Sequence, residues 1–181
     1  MKKVALALVV PIISSACMTA YVEPEHDNVA RINFVNEGVG SMAIHFYNDA
    51  SECTDRLTAP GVKTNEAKTY RISAGRDLAF TVSKDPQGTR ALFSSGVALG
   101  GAIGGVMVES ALNSGCIPTI EFVAEKGRDY VFRMFSGAEE CRYQFFQMPQ
   151  ISAPSQRATD VTFRKRQWIR PLGEAGPFCE K

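Results

Sequence analysis

The chain has 181 residues, with 20 Lys and Arg against 19 Asp and Glu and a formal charge of +1. That balance excludes the global basic field of a nucleic-acid binder, so no nucleic-acid partner is expected. With 45% apolar and 22% charged residues the composition is that of a globular protein, and the length suits one domain with a real core.

The first elements are those of an export signal. Lys2 and Lys3 form a positive start, and Val4 to Ile13 form an apolar run of ten residues. A membrane-spanning helix needs about 20. The small residues Ser14-Ser15-Ala16 and then Cys17 follow. The expectation is a signal peptide over residues 1–16. Ser14 to Cys17 resemble the lipobox of bacterial lipoproteins, although Ser14 stands where that family usually has Leu. The resemblance implies that Cys17 becomes the first residue and is acylated on its thiol and amine. Ordinary cleavage near Ser15-Ala16, leaving a soluble periplasmic protein, is the alternative. Met18, rather than Asp, follows the cysteine, which in such lipoproteins implies the outer membrane. Buried acyl chains at about 0.8 kcal/mol per methylene then anchor the chain to the lipid bilayer, its first expected partner. Residues 17–28 are polar and aperiodic and read as a tether.

From residue 29 onward, short segments alternate between apolar and polar residues, the period of half-buried strands. Ala30, Ile32 and Phe34 begin the series, then Met42, Ile44 and Phe46 after the Gly38-Val39-Gly40 turn. Tyr70 and Ile72 are followed by a turn at Ala74-Gly75-Arg76 and by Leu78, Phe80 and Val82. Ile120, Phe122 and Ala124, then Tyr130, Phe132 and Met134, then Tyr143 and Phe145 read as a three-strand meander. Val161 and Phe163 fall in a last strand or two. The expected fold is mainly β: a single antiparallel β-sandwich of about eight strands over residues 29–181.

One segment breaks the pattern. Residues 93–115 are small, apolar and glycine-rich, with Gly96, Gly100 and Gly104 at every fourth position and a second pair at Gly101 and Gly105. Ser94 or Ser95 can cap a helix start and Gly115 can close its end. A glycine-rich helical insertion is therefore expected, with a strip bare of side chains. Five glycines in a helix cost roughly 4–5 kcal/mol against alanine, so close approach of another backbone must offset them. That backbone belongs to an envelope protein partner, to a second copy meeting residues 93–113, or to the chain's own sandwich. A loop insertion is the remaining reading.

Export places Cys53, Cys116, Cys141 and Cys179 in an oxidising space, where two disulfides are expected. Of three connectivities, Cys116–Cys141 with Cys53–Cys179 is favoured, because 116 and 141 lie at one end of the meander. No CxxC or HxxxH spacing points to a metal site, and no cofactor is expected. The nucleophile, phosphate-loop and metalloprotease motifs are absent, so no catalytic residue is assigned and the protein is not expected to be an enzyme. Asp49, Glu52 and Asp55 cluster around Cys53 without the spacing of a calcium loop and read as a solvated turn. Arg164, Lys165, Arg166 and Arg170 surround Trp168, the only tryptophan. Such a run can meet anionic head groups with Trp at the interface, or can be a charged edge strand.

The export signal, the Ala30-Arg31-Ile32-Asn33-Phe34-Val35 strand, and the Cys116 to Cys141 stretch with Phe122, Gly127 and Tyr130 together resemble a family of small uncharacterised bacterial envelope lipoproteins. That likeness implies a non-catalytic binding or structural module facing the periplasm. By fold alone there is a more distant likeness to the transthyretin-like lipoprotein of type VI secretion systems. It implies the alternative, an accessory lipoprotein of a secretion or surface-assembly complex.

Overall fold

A computed structural model of the chain describes residues 19–84, 116–136, 141–149, 158–169 and 176–180. The signal peptide 1–16, the acyl site Cys17 and the insertion 93–115 with Gly96, Gly100 and Gly104 lie outside the described residues.

Eleven strands are described: β1 (Thr19–Ala20), β2 (Val29–Asn36), β3 (Met42–Asp49), β4 (Thr54–Val62), β5 (Ala67–Ser73), β6 (Asp77–Lys84), β7 (Thr119–Val123), β8 (Asp129–Ser136), β9 (Cys141–Gln147), β10 (Thr159–Asp160) and β11 (Arg164–Arg166). They form a six-stranded sheet in the order β1-β4-β3-β6-β7-β11 and a five-stranded sheet in the order β10-β9-β8-β2-β5. The alternating apolar positions become the core. Ile32, Phe34, Ile44, Phe46, Ile72, Phe80, Ile120, Phe132 and Met134 are all fully buried. They come from both sheets and belong to one cluster. Rings cross between the sheets: Phe34 meets Phe80 at 5.3 Å and Phe46 at 6.0 Å, both edge to face. This is the arrangement the ring quadrupoles favour.

The sheets are mixed, which corrects the expectation of a purely antiparallel fold. β2 runs parallel to β8, and β1 to β4. Strand direction reverses at each step from β2 to β10. Neighbours an odd number of strands apart, such as β2 and β5, are therefore antiparallel, and neighbours an even number apart, such as β2 and β8, are parallel. The turns at 38–40, 74–76 and 124–128 do not close hairpins; each carries the chain from one sheet to the other. The expected meander is corrected too, since β7 pairs with β6 and β11 while β8 and β9 pair with each other.

β4 was not anticipated from the sequence. It pairs with β3 in a register that slips by one residue between Met42 and Ile44. Pro60 and Gly61 occupy the slip, and a Cβ on Gly61 would lie 2.8 Å from the Met42 carbonyl oxygen. Glycine is needed there because two backbones approach closely.

Residues 19–28, read as tether, are held on the domain. β1 pairs with β4, and the Tyr21 N–H donates to the Thr58 carbonyl at 2.9 Å. The Tyr21 ring lies 4.3 Å from Phe46, and its hydroxyl donates to the Arg71 carbonyl of β5 at 2.6 Å. Tyr21 thus bridges β4 of one sheet and β5 of the other and closes that flank of the core.

Candidate functional site

The outer face of the six-stranded sheet carries two rows of side chains in register. One is Arg56, Tyr47, Ala79, Glu121 and Arg164; the next is Thr58, His45, Thr81, Thr119 and Arg166. Hydroxyls link them, with Tyr47 to Thr81 at 2.9 Å and Thr81 to Thr119 at 2.8 Å. His45 Nδ1 lies 3.2 Å from the Thr58 hydroxyl. Burial pushes the Tyr47 phenol above its ordinary pKa, and its hydrogen bond to Thr81 partly opposes this.

The chain's own C-terminal segment covers part of this face. Phe178 and Cys179 join Tyr47, Ala50, Cys53 and Ala79 in a second apolar cluster, with Trp168 packed against it. The disulfide Cys53–Cys179 ties the segment to the turn between β3 and β4. Backbone bonds add to it: the Phe178 N–H donates to the Cys53 carbonyl at 3.1 Å, Ile169 to Phe178 at 3.0 Å and Glu180 to Gln167 at 2.9 Å. Arg166 is the hub. Its side chain is 5% exposed, is ion-paired with Glu121, and donates to the carbonyls of Glu180 and Ser51. These groups hold the fold together and present no free polar surface at Arg166.

The opposite flank is different. Between β9 and β11, where the edges of the two sheets face each other, lies an open groove of about 1120 Å3. Phe145 and the half-buried rings of Tyr143 and Phe163 line it, with Phe135 and Phe146 beside them. Phe145 and Phe163 meet at 5.7 Å, and Tyr143 stacks on Phe132 of the core at 5.4 Å. Exposed Arg142 and Lys165 stand at its walls, with Asp160 the one acidic group in the lining among the described residues. The Lys165 ammonium lies 5.2 Å from the Tyr143 ring centre. Rings offer contact area and cations fix orientation, the two kinds of group a ligand site combines.

The residues singled out from sequence fall in different places. Arg164 is exposed, 3.5 Å from Glu121. Trp168 and Arg166 belong to the C-terminal clasp, so the basic run is divided: Arg166 is buried while Lys165 reaches the groove. Cys53 and Cys179 are joined as expected, and Cys116 is also disulfide-bonded. The Cys141 side chain lies outside those described. Asp49 accepts from the Ser51 N–H and hydroxyl and the Glu52 N–H, which makes it a turn cap. Among the described residues no group of three His, Cys, Asp or Glu is placed to hold a metal ion. Nor is any described helix long and apolar enough to cross a membrane. The groove was missed; its signal was the pairing of Tyr143 and Phe145 with nearby Arg142 and Lys165. No family model, curated protein or solved structure matches this chain.

Proposed function

We propose that this chain is an outer-membrane lipoprotein, held in the bilayer through acylated Cys17 and facing the periplasm. It acts there as a non-catalytic binding module built as a two-sheet β-sandwich, of the kind seen in small envelope lipoproteins. The observation that carries the reading is the disulfide joining Cys53 to Cys179 across 126 residues. Both cysteines are buried in the second apolar cluster, and bonds of this kind are rare where thiols are kept reduced. The aromatic and cationic groove between β9 and β11 supports binding. The same open groove also supports a second reading, an accessory lipoprotein of a secretion or surface-assembly complex.

The test is metabolic labelling with a palmitate analogue in cells, with thiol alkylation before and after reduction. The expected result is label on the wild-type chain, none on Cys17→Ala, and release of that variant from the membrane fraction. Cys53 and Cys179 should alkylate only after reduction. An unlabelled wild-type chain, or thiols that alkylate without reductant, would refute the reading.

A further inference from the structure

The stretch read as a tether leaves almost no slack. As a loose chain, residues 17–28 would let the domain stand about 20 Å from its lipid, root mean square. The fold takes up all but the first two. Thr19 and Ala20 form β1, paired with Leu57 and Thr58 of β4. Tyr21 is fixed by its N–H on Thr58, its ring on Phe46 and its hydroxyl on Arg71. His26 lies 3.3 Å from the Ser73 hydroxyl, and Asn28 donates to the Ala74 carbonyl at 2.8 Å. Met18 alone separates Cys17 from β1. Two peptide steps reach at most about 7 Å. The head-group layer on one side of a bilayer is about 5–8 Å deep. An acyl chain on Cys17 therefore leaves Thr19 at the lipid surface.

We infer that the β1 flank of the sandwich is its membrane-facing surface: the domain lies against the head groups with Thr19, Ala20 and Val22 toward lipid, held there by the shortness of its anchor. The inference rests on the acylation of Cys17 and names the face that this anchor turns to the bilayer. Thr19 and Ala20 are exposed and Val22 is 76% exposed, while Tyr21 among them turns to the core. Small and apolar side chains can settle among head groups without burying an unpaired charge. Charges of both signs stand around Tyr21. Glu23 and Arg76 act on its phenol in opposite directions, and Lys68 lies 5.8 Å from the ring of Tyr70. These groups make no single-sign field toward anionic lipid, so covalent reach and not head-group charge sets the contact. The sheet then sets the depth of the rest. β11 lies five strand spacings from β1 in the same sheet, about 24 Å at 4.8 Å each. Arg164 and Lys165 of β11 are thereby turned to the periplasm, away from the head groups that the basic run was expected to meet.

The experiment uses the chain purified from membranes and reconstituted in phosphatidylethanolamine vesicles, with and without phosphatidylglycerol, whose head groups carry a nitroxide. A genetically encoded fluorescent amino acid replaces Val22 in one variant and Arg164 in another. Both side chains are largely exposed, so both variants are expected to fold. The nitroxide should quench the probe at position 22 several-fold more than the probe at position 164. The difference should persist without phosphatidylglycerol and at high salt. Inserting about 20 Gly and Ser residues between Met18 and Thr19, a chain spanning about 25 Å, should bring both probes to the same low level. Equal quenching at the two positions of the unextended chain, stronger quenching at 164, a difference that salt abolishes, or one that the insertion leaves intact would overturn the inference. Vesicle flotation and the mass of the N-terminal peptide separate the two levels. A chain with no acyl mass on Cys17 that fails to float refutes the lipoprotein reading and this inference with it. An acylated, floating chain whose probe at position 22 is unquenched refutes the inference alone.

Discussion

Replacing both Cys53 and Cys179 with alanine removes a crosslink without placing a polar group in the second cluster, where both residues are buried. The C-terminal segment keeps its other attachments: the Trp168–Cys179 bridge, the Phe178 N–H to Cys53 carbonyl bond, and Arg166 on Glu180. The native state therefore changes little, and the loss falls on the unfolded chain. Closing a loop of 126 residues lowers unfolded-state entropy enough to stabilise the fold by about 5 kcal/mol in the chain-entropy account. Domains of this size have only about 5–15 kcal/mol in total. The assay is urea unfolding followed by tyrosine and tryptophan fluorescence. With a slope of about 2 kcal/mol per molar, the midpoint should fall by about 2 M or more. The slope should also rise, because an uncrosslinked unfolded chain exposes more surface. If instead the clasp opens in the native state, the slope falls, since the folded molecule already exposes Tyr47 and Phe178. An unchanged midpoint, or a reduced slope, would refute the assignment of the effect to the unfolded chain.

The two arginines of β11 should behave oppositely although they are two residues apart. Arg166→Ala strands Glu121, 13% exposed, and two carbonyls, and should cost about 3 kcal/mol; Arg164→Ala, 71% exposed, should cost less than about 1. Equal midpoint shifts in urea would contradict this. Gly61→Ala drives a methyl against the Met42 carbonyl and should destabilise by about 1–3 kcal/mol. Gly127→Ala, which meets open space at φ +73°, should cost about 1 kcal/mol through backbone strain alone. A larger loss at Gly127 than at Gly61 would be inconsistent with the bulge. Burial, aided by the charge of Glu23, pushes the Tyr70 phenol up to about 12, and burial also raises Tyr21, Tyr47 and Tyr130. These folded pKa values exceed the unfolded value near 10, so their contribution is complete below about pH 10 and is lost as pH rises toward 12. Tyrosinate absorbance should appear late and together with unfolding; early, gradual ionisation without loss of structure would count against it.

Alternation made the inner face of the sheets legible. Ile32, Phe34, Ile44, Phe46, Phe80 and Phe132 stand out as period-two apolar residues and are all buried. β4 was hidden because Pro60-Gly61 interrupts the period at the bulge and only Leu57, Ala59 and Val62 face inward. Turn residues at 74–76 and 124–128 announce that the chain reverses. They do not say whether it returns beside the strand it left or crosses to the other sheet, because one turn serves both. Parallel pairing of β2 with β8 follows from that choice and from no local signal. Arg166 shows the same limit at a single side chain. Its partner Glu121 lies 45 residues away, so nothing local set Arg166 apart from the other cations of the run.

The two flanks of the fold are closed in different ways. Each sheet ends in strands whose outer groups need a partner, and two packed sheets expose two such flanks. On one side Tyr21 spends its ring on Phe46 and its hydroxyl on Arg71, and residues 19–28 lie along the seam. On the other side β10 is two residues long and pairs with Phe146 and Gln147 of β9, and β11 is three residues long and pairs with β7. Tyr143 and Phe163 are left half-buried over the core, beside Lys165 and Arg142. Half-buried rings bordered by cations stand there among the described residues, and that pairing of contact area with charge is what the proposed binding module would use.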